Sequence, residues 1–173
     1  LARTLSRRFN QQFGETVVVP EARLQKMGAR IMGLDDPEKK MSKSAASEYN
    51  YIALSDTPEL IRKKIMKAAT DSGMDVHSRG DKPAISNLLA IFSLVSGRAV
   101  RDIEKEFNGR GYAPFKKALA EAIIAWLRPL QDLHQSIQDN EMMDILRVGA
   151  GRAQKVAAET METVRERVGF LRS

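Results

Sequence analysis

Lys40 and Lys43 stand three residues apart in the run Lys40-Met41-Ser42-Lys43-Ser44. Two mobile ammonium groups, with the hydroxyls of Ser42 and Ser44 and the backbone N–H groups between them, suit the oxygens of an oligophosphate. They can follow negative charge as it builds on a departing pyrophosphate. Lysine fits that task as a point charge on a flexible stem. A Lys-x-x-Lys pair taken alone is more often a solvated basic loop, so spacing by itself does not assign the chemistry.

The run lies in an irregular segment. Residues 21–50 show no helical period and are rich in turn formers: Gly28, Gly33, Asp35-Asp36-Pro37 and the serines from Ser42 to Ser47. An ordered stretch of this length without regular structure is usually functional. Before it, Leu1, Leu5, Phe9 and Phe13 recur at four-residue spacing and predict a helix closed by Gly14. Val17-Val18-Val19, stopped by Pro20, reads as a short buried strand.

From Asp56 onward the pattern is helical. Thr57-Pro58-Glu59 supplies a capping hydroxyl, a proline at the first helical position and an early acid. The helix it opens should bury Leu60, Ile61, Ile65, Ala68 and Ala69. A polar loop over 71–83 leads to a helix from Pro83 with Ile85, Leu88, Leu89, Phe92 and Val95 inward, closed by Gly97. A short helix carries Val100, Ile103 and Phe107. A long one runs from about Tyr112 with Phe115, Leu119, Ile123, Trp126 and Leu130 inward, and Pro129 should kink it. The last helix starts near Asn140. The glycines of Gly149-Ala150-Gly151 inside it weaken the helix and suggest close approach of another helix.

Composition bounds the function. The chain has 173 residues, a net charge of +6 and no cysteine. That excludes a disulfide scaffold, a thiolate metal site and a cysteine nucleophile. The charge is weighted to the first two thirds, with no block of five like charges; it permits a polyanionic partner without requiring one. Leu88–Phe92 and Ala122–Leu127 are far too short to span a bilayer. Nothing at the start reads as a signal peptide. The chain opens inside an amphipathic stripe, so it reads as a piece of something longer.

Lys40 to Ser44 is the KMSKS signature of class I aminoacyl-tRNA synthetases, and its flanks resemble the tryptophanyl family of bacterial type. Gly28-Ala-Arg-Ile31-Met32 is similar to that family's lead-in to the loop, and Asp36-Pro37 with Lys39 to its approach. Lys82-Pro-Ala-Ile-Ser-Asn-Leu-Leu89, Leu127-Arg-Pro129 and Val168-Gly-Phe-Leu171 resemble the family's helical part. One departure stands out: Ala45-Ala46 follows the signature, where family members usually have Asp-Pro or similar, so the hinge of the loop is expected to differ.

The resemblance implies a mostly α chain. Residues 1–55 would be the C-terminal end of a Rossmann-type catalytic domain, comprising a helix, the short strand and the KMSKS loop. Residues 56–140 would form a helical anticodon-binding domain, and 141–173 a long helix packing back toward the catalytic domain. The whole enzyme would activate tryptophan with ATP, releasing pyrophosphate, then esterify the 3′ end of its tRNA, in the cytoplasm and as a homodimer. Lys40 and Lys43 would hold the phosphates, with Lys43 foremost for transition-state charge. Ser42 and Ser44 would support them, and Ile31 and Met41 would contact the adenosine. Mg²⁺ would travel on the ATP phosphates, with no dedicated metal site; His77 and His134 read as surface residues. Arg62, Lys63, Lys64 and Lys67, taken to share the outer face of one helix, could meet tRNA phosphates. Trp126 fits the core better than a platform for bases.

The earlier HIGH-like signature of the class and the tryptophan pocket would lie outside this segment. The chain alone is therefore expected to be inactive. Two alternatives stay open: the related tyrosyl enzyme, which the segments around Gly28 and Ser86 argue against, and a noncatalytic helical RNA-binding module, which leaves the Lys40–Ser44 run unexplained.

Overall fold

A computed structural model describes residues 1–24 and 28–170. Residues 25–27 of the irregular stretch and Leu171 of the closing Val168–Leu171 run lie outside the described residues. Six α-helices follow in chain order: α1 (Ala2–Phe13), α2 (Pro58–Lys67), α3 (Pro83–Ser96), α4 (Val100–Phe107), α5 (Tyr112–Ser136) and α6 (Asp139–Val168). A single 3₁₀ turn spans Glu48–Asn50. The chain divides into two compact units, Leu1–Leu24 with Ile137–Ser173, and Gln25–Ser136.

The larger unit is built on α2–α5. Thr57 caps α2 by accepting from the Leu60 N–H at 3.3 Å, and Pro58 opens the helix. Pro83 opens α3, and Gly97, at φ 69°, closes it in a left-handed conformation open to glycine. Ile61 and Ile65 of α2 share one core with Leu88 and Leu89 of α3, Ile103 of α4, and Leu119 and Ile123 of α5. Phe92, Phe107 and Phe115 form an aromatic trio with centroids 5.6–6.2 Å apart. Each such side chain removed from water contributes about 1.5–3 kcal/mol. Leu34, from the irregular stretch, is buried in the same core.

Several expectations meet corrections here. On α5 the buried stripe runs Phe115, Leu119, Ala120, Ile123, Ile124 and Leu127. Trp126, expected inward, is 56% exposed, and Leu130 is 47% exposed. Trp126 falls toward the edge of the stripe, whereas Leu130 shares its face but lies beyond Leu127, the last buried residue of the helix. The helix continues through Pro129 to Ser136.

Lys64, expected on the outer face of α2, is buried. Its position among Ile61, Ile65 and Ala68 lies on the inward stripe, so the backbone carries it inside. There Nζ donates to Asp56 Oδ2 at 2.6 Å and lies 4.8 Å from the Tyr51 ring centre. Asp56 also accepts from the Ala53 N–H at 2.9 Å. A second buried lysine, Lys116, donates to the Ala68 carbonyl at 2.7 Å and thus serves the open carbonyl end of α2. Burial pushes its pKa below the usual lysine value.

In the smaller unit the expected strand at Val17–Val19 does not form. Val18 is 91% exposed. Asn10 instead holds the backbone, accepting from the N–H groups of Thr16 and Val17 and donating to the Val17 carbonyl at 2.8 Å. A β-branched run becomes a strand only beside a partner strand, and none is described here. Gly14, at φ 78°, ends α1, and Arg167 of α6 donates to the Phe13 carbonyl at 2.8 Å. A Cβ at Gly149 or Gly151 would stand in open space, so these glycines do not serve a close helix approach among the described residues.

The buried pair sets a measurable stability term. Asp56→Ala leaves the Lys64 ammonium buried without its counter-charge, and should cost about 3–5 kcal/mol. Urea unfolding of the two proteins measures it; a loss below about 1 kcal/mol would contradict the pairing.

Candidate functional site

The site is the segment from Gly28 to Tyr51 in the larger unit. Residues 31–33 and 39–41 face each other as a minimal antiparallel ladder centred on a bridge between Met32 and Lys40. The Gly33 N–H donates to the Lys39 carbonyl at 2.8 Å and the Met41 N–H to the Ile31 carbonyl at 3.0 Å. Asp36-Pro37 makes the turn between the two arms. The Lys39 N–H donates to the Asp36 carbonyl at 3.3 Å, and Asp36 Oδ1 accepts from the Glu38 N–H at 3.1 Å. The Lys39 ammonium lies 2.7 Å from Asp36 Oδ2, and this hydrogen bond holds the Asp36 carboxyl below its ordinary pKa.

Among the described residues no further strand flanks this ladder, and side-chain amides take the place of one. Asn87 of α3 grips Met32 at both ends, accepting from its N–H and donating to its carbonyl, each at 2.9 Å. Leu34 buries its side chain in the helical core. Its N–H donates to the Asn50 carbonyl at 2.9 Å, and its own carbonyl accepts from the Ala69 N–H at 2.6 Å. Asn50, itself buried, accepts the Ser42 N–H at 3.0 Å and donates to Asp35 Oδ1 at 2.6 Å. Gly33 leaves room for that amide: a Cβ there would overlap Asn50 Nδ2 and come within 2.9 Å of the Asp36 carbonyl.

The structure brings together Ile31, Lys40, Met41, Ser42, Lys43 and Ser44. Ile31 and Met41 are partly buried on opposite arms and share a backbone hydrogen bond; Met41 packs against the helical core. Lys40 is exposed on the ladder. Past Met41 the chain turns, with the Ala45 N–H donating to the Ser42 carbonyl at 3.1 Å and the Ser44 N–H to Ser42 Oγ at 3.2 Å. Lys43 occupies the second position of that turn and is exposed, as are Ser42 and Ser44. Among the described residues no carboxylate forms an ion pair with Lys40 or Lys43, whereas neighbouring Lys39 is paired with Asp36. Two unneutralised ammonium groups beside a serine-rich turn form an anion-receiving edge.

The basic residues of α2 do not act as one surface. Arg62 is held by Glu121 through two hydrogen bonds, at 2.7 and 3.1 Å. Lys64 is buried against Asp56. Lys63 and Lys67 remain exposed and stand 5.8 and 4.4 Å from the ring centre of Tyr49, the residue before Asn50. The hydrogen bond from Lys63, with the charges of both lysines, holds the Tyr49 hydroxyl below its ordinary pKa. His77 lies between Asp75 and Glu104, at 3.6 and 3.8 Å, and His134 is exposed on α5.

Sequence reasoning does not mark Asn50 as part of the site; it names Gly33 only as a turn former and Asn87 only within the Lys82–Leu89 run. The only signal for Asn50 was a lone polar residue between two tyrosines eight positions after Ser42. Nothing local marks it, because its partners are distant along the chain.

A family model described as "tRNA synthetases class I (W and Y)" matches residues 1–128. Tryptophan–tRNA ligase of Caldanaerobacter subterraneus subsp. tengcongensis is 45% identical over 172 residues, covering 99% of this chain and 53% of the relative. The Wolinella succinogenes protein of the same name is 44% identical over 173 residues, with the same coverage. Among solved structures, tryptophanyl-tRNA synthetase of Mycoplasma pneumoniae superposes with a TM-score of 0.89 at 29% identity, covering 98% of this chain and 52% of that one. The Campylobacter jejuni synthetase, complexed with ADP and tryptophan, gives 0.65 at 27% identity, covering 97% and 52%. The chain spans about half the length of the curated relatives it matches.

Proposed function

The chain belongs to the class I tRNA synthetases of the W and Y group, and from that membership we propose that it carries the phosphate-handling loop of a tryptophan–tRNA ligase. The observation that supports this most is the pair Lys40 and Lys43, exposed and unneutralised on a loop whose backbone is held to the helical core. The names of the relatives favour tryptophan over tyrosine as the amino acid, and the ADP and tryptophan in the Campylobacter jejuni protein agree with a nucleotide and that amino acid as ligands.

In this reading the tryptophan carboxylate attacks the α-phosphorus of ATP and pyrophosphate departs. Lys40 and Lys43 meet the charge that gathers on the leaving oxygens. The two are not equivalent. Lys40 rides on the ladder, so its backbone is fixed; Lys43 sits on an exposed turn and can follow the departing group. Ser42 and Ser44 shape the turn and offer hydroxyls to the phosphates. Ile31 and Met41, sharing one backbone hydrogen bond, bound the adenosine end. The loop presents ammonium, hydroxyl and N–H groups, which fit phosphate oxygens. Mg²⁺ would come on the nucleotide's own phosphates and supply charge neutralisation there.

Residues 1–55 form the end of the Rossmann-type catalytic domain in this account, 56–140 the anticodon-binding domain, and 141–173 the helix returning to the catalytic domain. The amino-acid pocket belongs to the rest of a protein about twice this length, which works as a homodimer in the cytoplasm. Lys63 and Lys67 are the lysines of α2 free to meet tRNA phosphates, with Tyr49 beneath them; Lys64 is withdrawn from that role by its burial, and Arg62 is occupied by Glu121.

Two measurements on the full-length protein test these assignments. Lys43→Ala should slow tryptophan-dependent ATP–pyrophosphate exchange by roughly 10²–10³, as for deleting one transition-state contact, with tryptophan affinity held within about two-fold. An unchanged exchange rate would refute the role. Lys63→Ala combined with Lys67→Ala should lower the slope of log affinity for tRNA against log salt by roughly 1 to 2. An unaltered slope would remove both lysines from the interface.

A further inference from the structure

Asn50 occupies a place in the loop that the phosphate-binding residues do not explain. All four of its polar groups are engaged. Its N–H donates to the Ser47 carbonyl at 3.2 Å, and its carbonyl accepts from the Leu34 N–H at 2.9 Å. Its side chain works in two directions, Nδ2 toward Asp35 at 2.6 Å and Oδ1 toward the Ser42 N–H at 3.0 Å. The orientation is dictated by chemistry. An ionised Asp35 can only accept, so the NH₂ must face it and the oxygen must face Ser42.

The bond to Ser42 matters because of what surrounds it. Among the described residues, the other hydrogen bonds of residues 42–47 are local, to partners no more than three positions away. The Asn50 amide is thus the one long-range polar tie on the turn that carries Lys43. It leads back to the core by a short route. Asn50 is joined to Leu34 through the backbone, and Leu34 is buried among Ile61, Ile65 and the other core residues. Gly33 keeps the space the amide needs.

We propose that Asn50 is a positioning residue for the nucleotide chemistry. Its amide holds the Ser42–Ala45 turn at the height and register that let Lys43 reach the phosphates, and it touches no substrate itself. The role rests on the phosphate-binding reading of Lys43. Such a residue acts through placement, where a displacement of about 1 Å can lower a rate about 10²-fold. Asn50→Ala removes both side-chain bonds. Asn50→Asp keeps an acceptor for Ser42 but sets a second carboxylate against Asp35, which should push the turn away.

The test is a double-mutant cycle in the full-length protein, read by ATP–pyrophosphate exchange with tryptophan. Asn50→Ala alone should lower kcat roughly 10- to 100-fold, with KM for tryptophan within about two-fold. In a Lys43→Ala background the same change should cost less than about three-fold, because the group it places is gone. Pairing Asn50→Asp with Asp35→Asn restores a donor and an acceptor across the contact and should recover most of the activity that Asn50→Asp loses. The role is overturned if Asn50→Ala exchanges at the normal rate, if its cost repeats in full in the Lys43→Ala background, or if the paired exchange fails to rescue. The second of these outcomes would mark a general loss of structure. A Lys43→Ala protein that exchanges normally would refute the phosphate-binding reading and the Asn50 role together, whereas a slow Lys43→Ala beside a normal Asn50→Ala refutes only the latter.

Discussion

A backbone that carries charged side chains into solvent must still satisfy its own N–H and C=O groups, and among the described residues no further strand flanks the segment from Ile31 to Ser42 to do it. Asn87 and Asn50 meet that requirement. Each is a side-chain amide with one donor end and one acceptor end, which is what a neighbouring peptide group would offer. Asn87 completes Met32 at both ends, and Asn50 takes up the N–H of Ser42. Both are buried, where an unmade hydrogen bond costs about 1–3 kcal/mol, so the contacts hold tightly. The helical unit thus serves the loop directly: α3 supplies one clamp, and the core that receives Leu34 steadies the other.

The consequence is a loop with graded freedom. Lys40 sits on the paired arms, and Lys43 one residue beyond the last long-range bond, on the Ser42–Ala45 turn. In the proposed function a fixed charge and a mobile charge are different tools: the first would mark where the phosphates lie, and the second would follow them as the leaving group departs. Lys39, next to Lys40, is instead paired with Asp36. The Tyr49 ring under Lys63 and Lys67 is one residue from Asn50, so the surface proposed for RNA and the anchor of the loop share a short piece of backbone.

Much of this arrangement was legible in the residues, and the parts that were not have physical reasons. The helices from Thr57 onward followed from capping, proline placement and apolar period, all local signals. The loop stood out through its lysines and serines. Lys64 was misplaced because its charge outweighed its position, although its spacing from Ile61, Ile65 and Ala68 already set it on the inward stripe. Trp126 went the other way, its bulk suggesting a core that Leu127 fills. The valines from Val17 to Val19 have the right shape for a strand, but strand formation depends on a partner that the run itself cannot supply. The roles of Asn50, Asn87 and Gly33 are hidden for a related reason: they are made by contacts between residues as far as 55 positions apart, and no local motif records them.

The loop built on this scaffold is proposed to serve the activation of tryptophan. The most direct measurement is ATP–pyrophosphate exchange by the full-length protein, with tryptophan and tyrosine offered separately. Exchange with tryptophan and only background with tyrosine is expected. Exchange driven by tyrosine alone, or by neither amino acid, would contradict it.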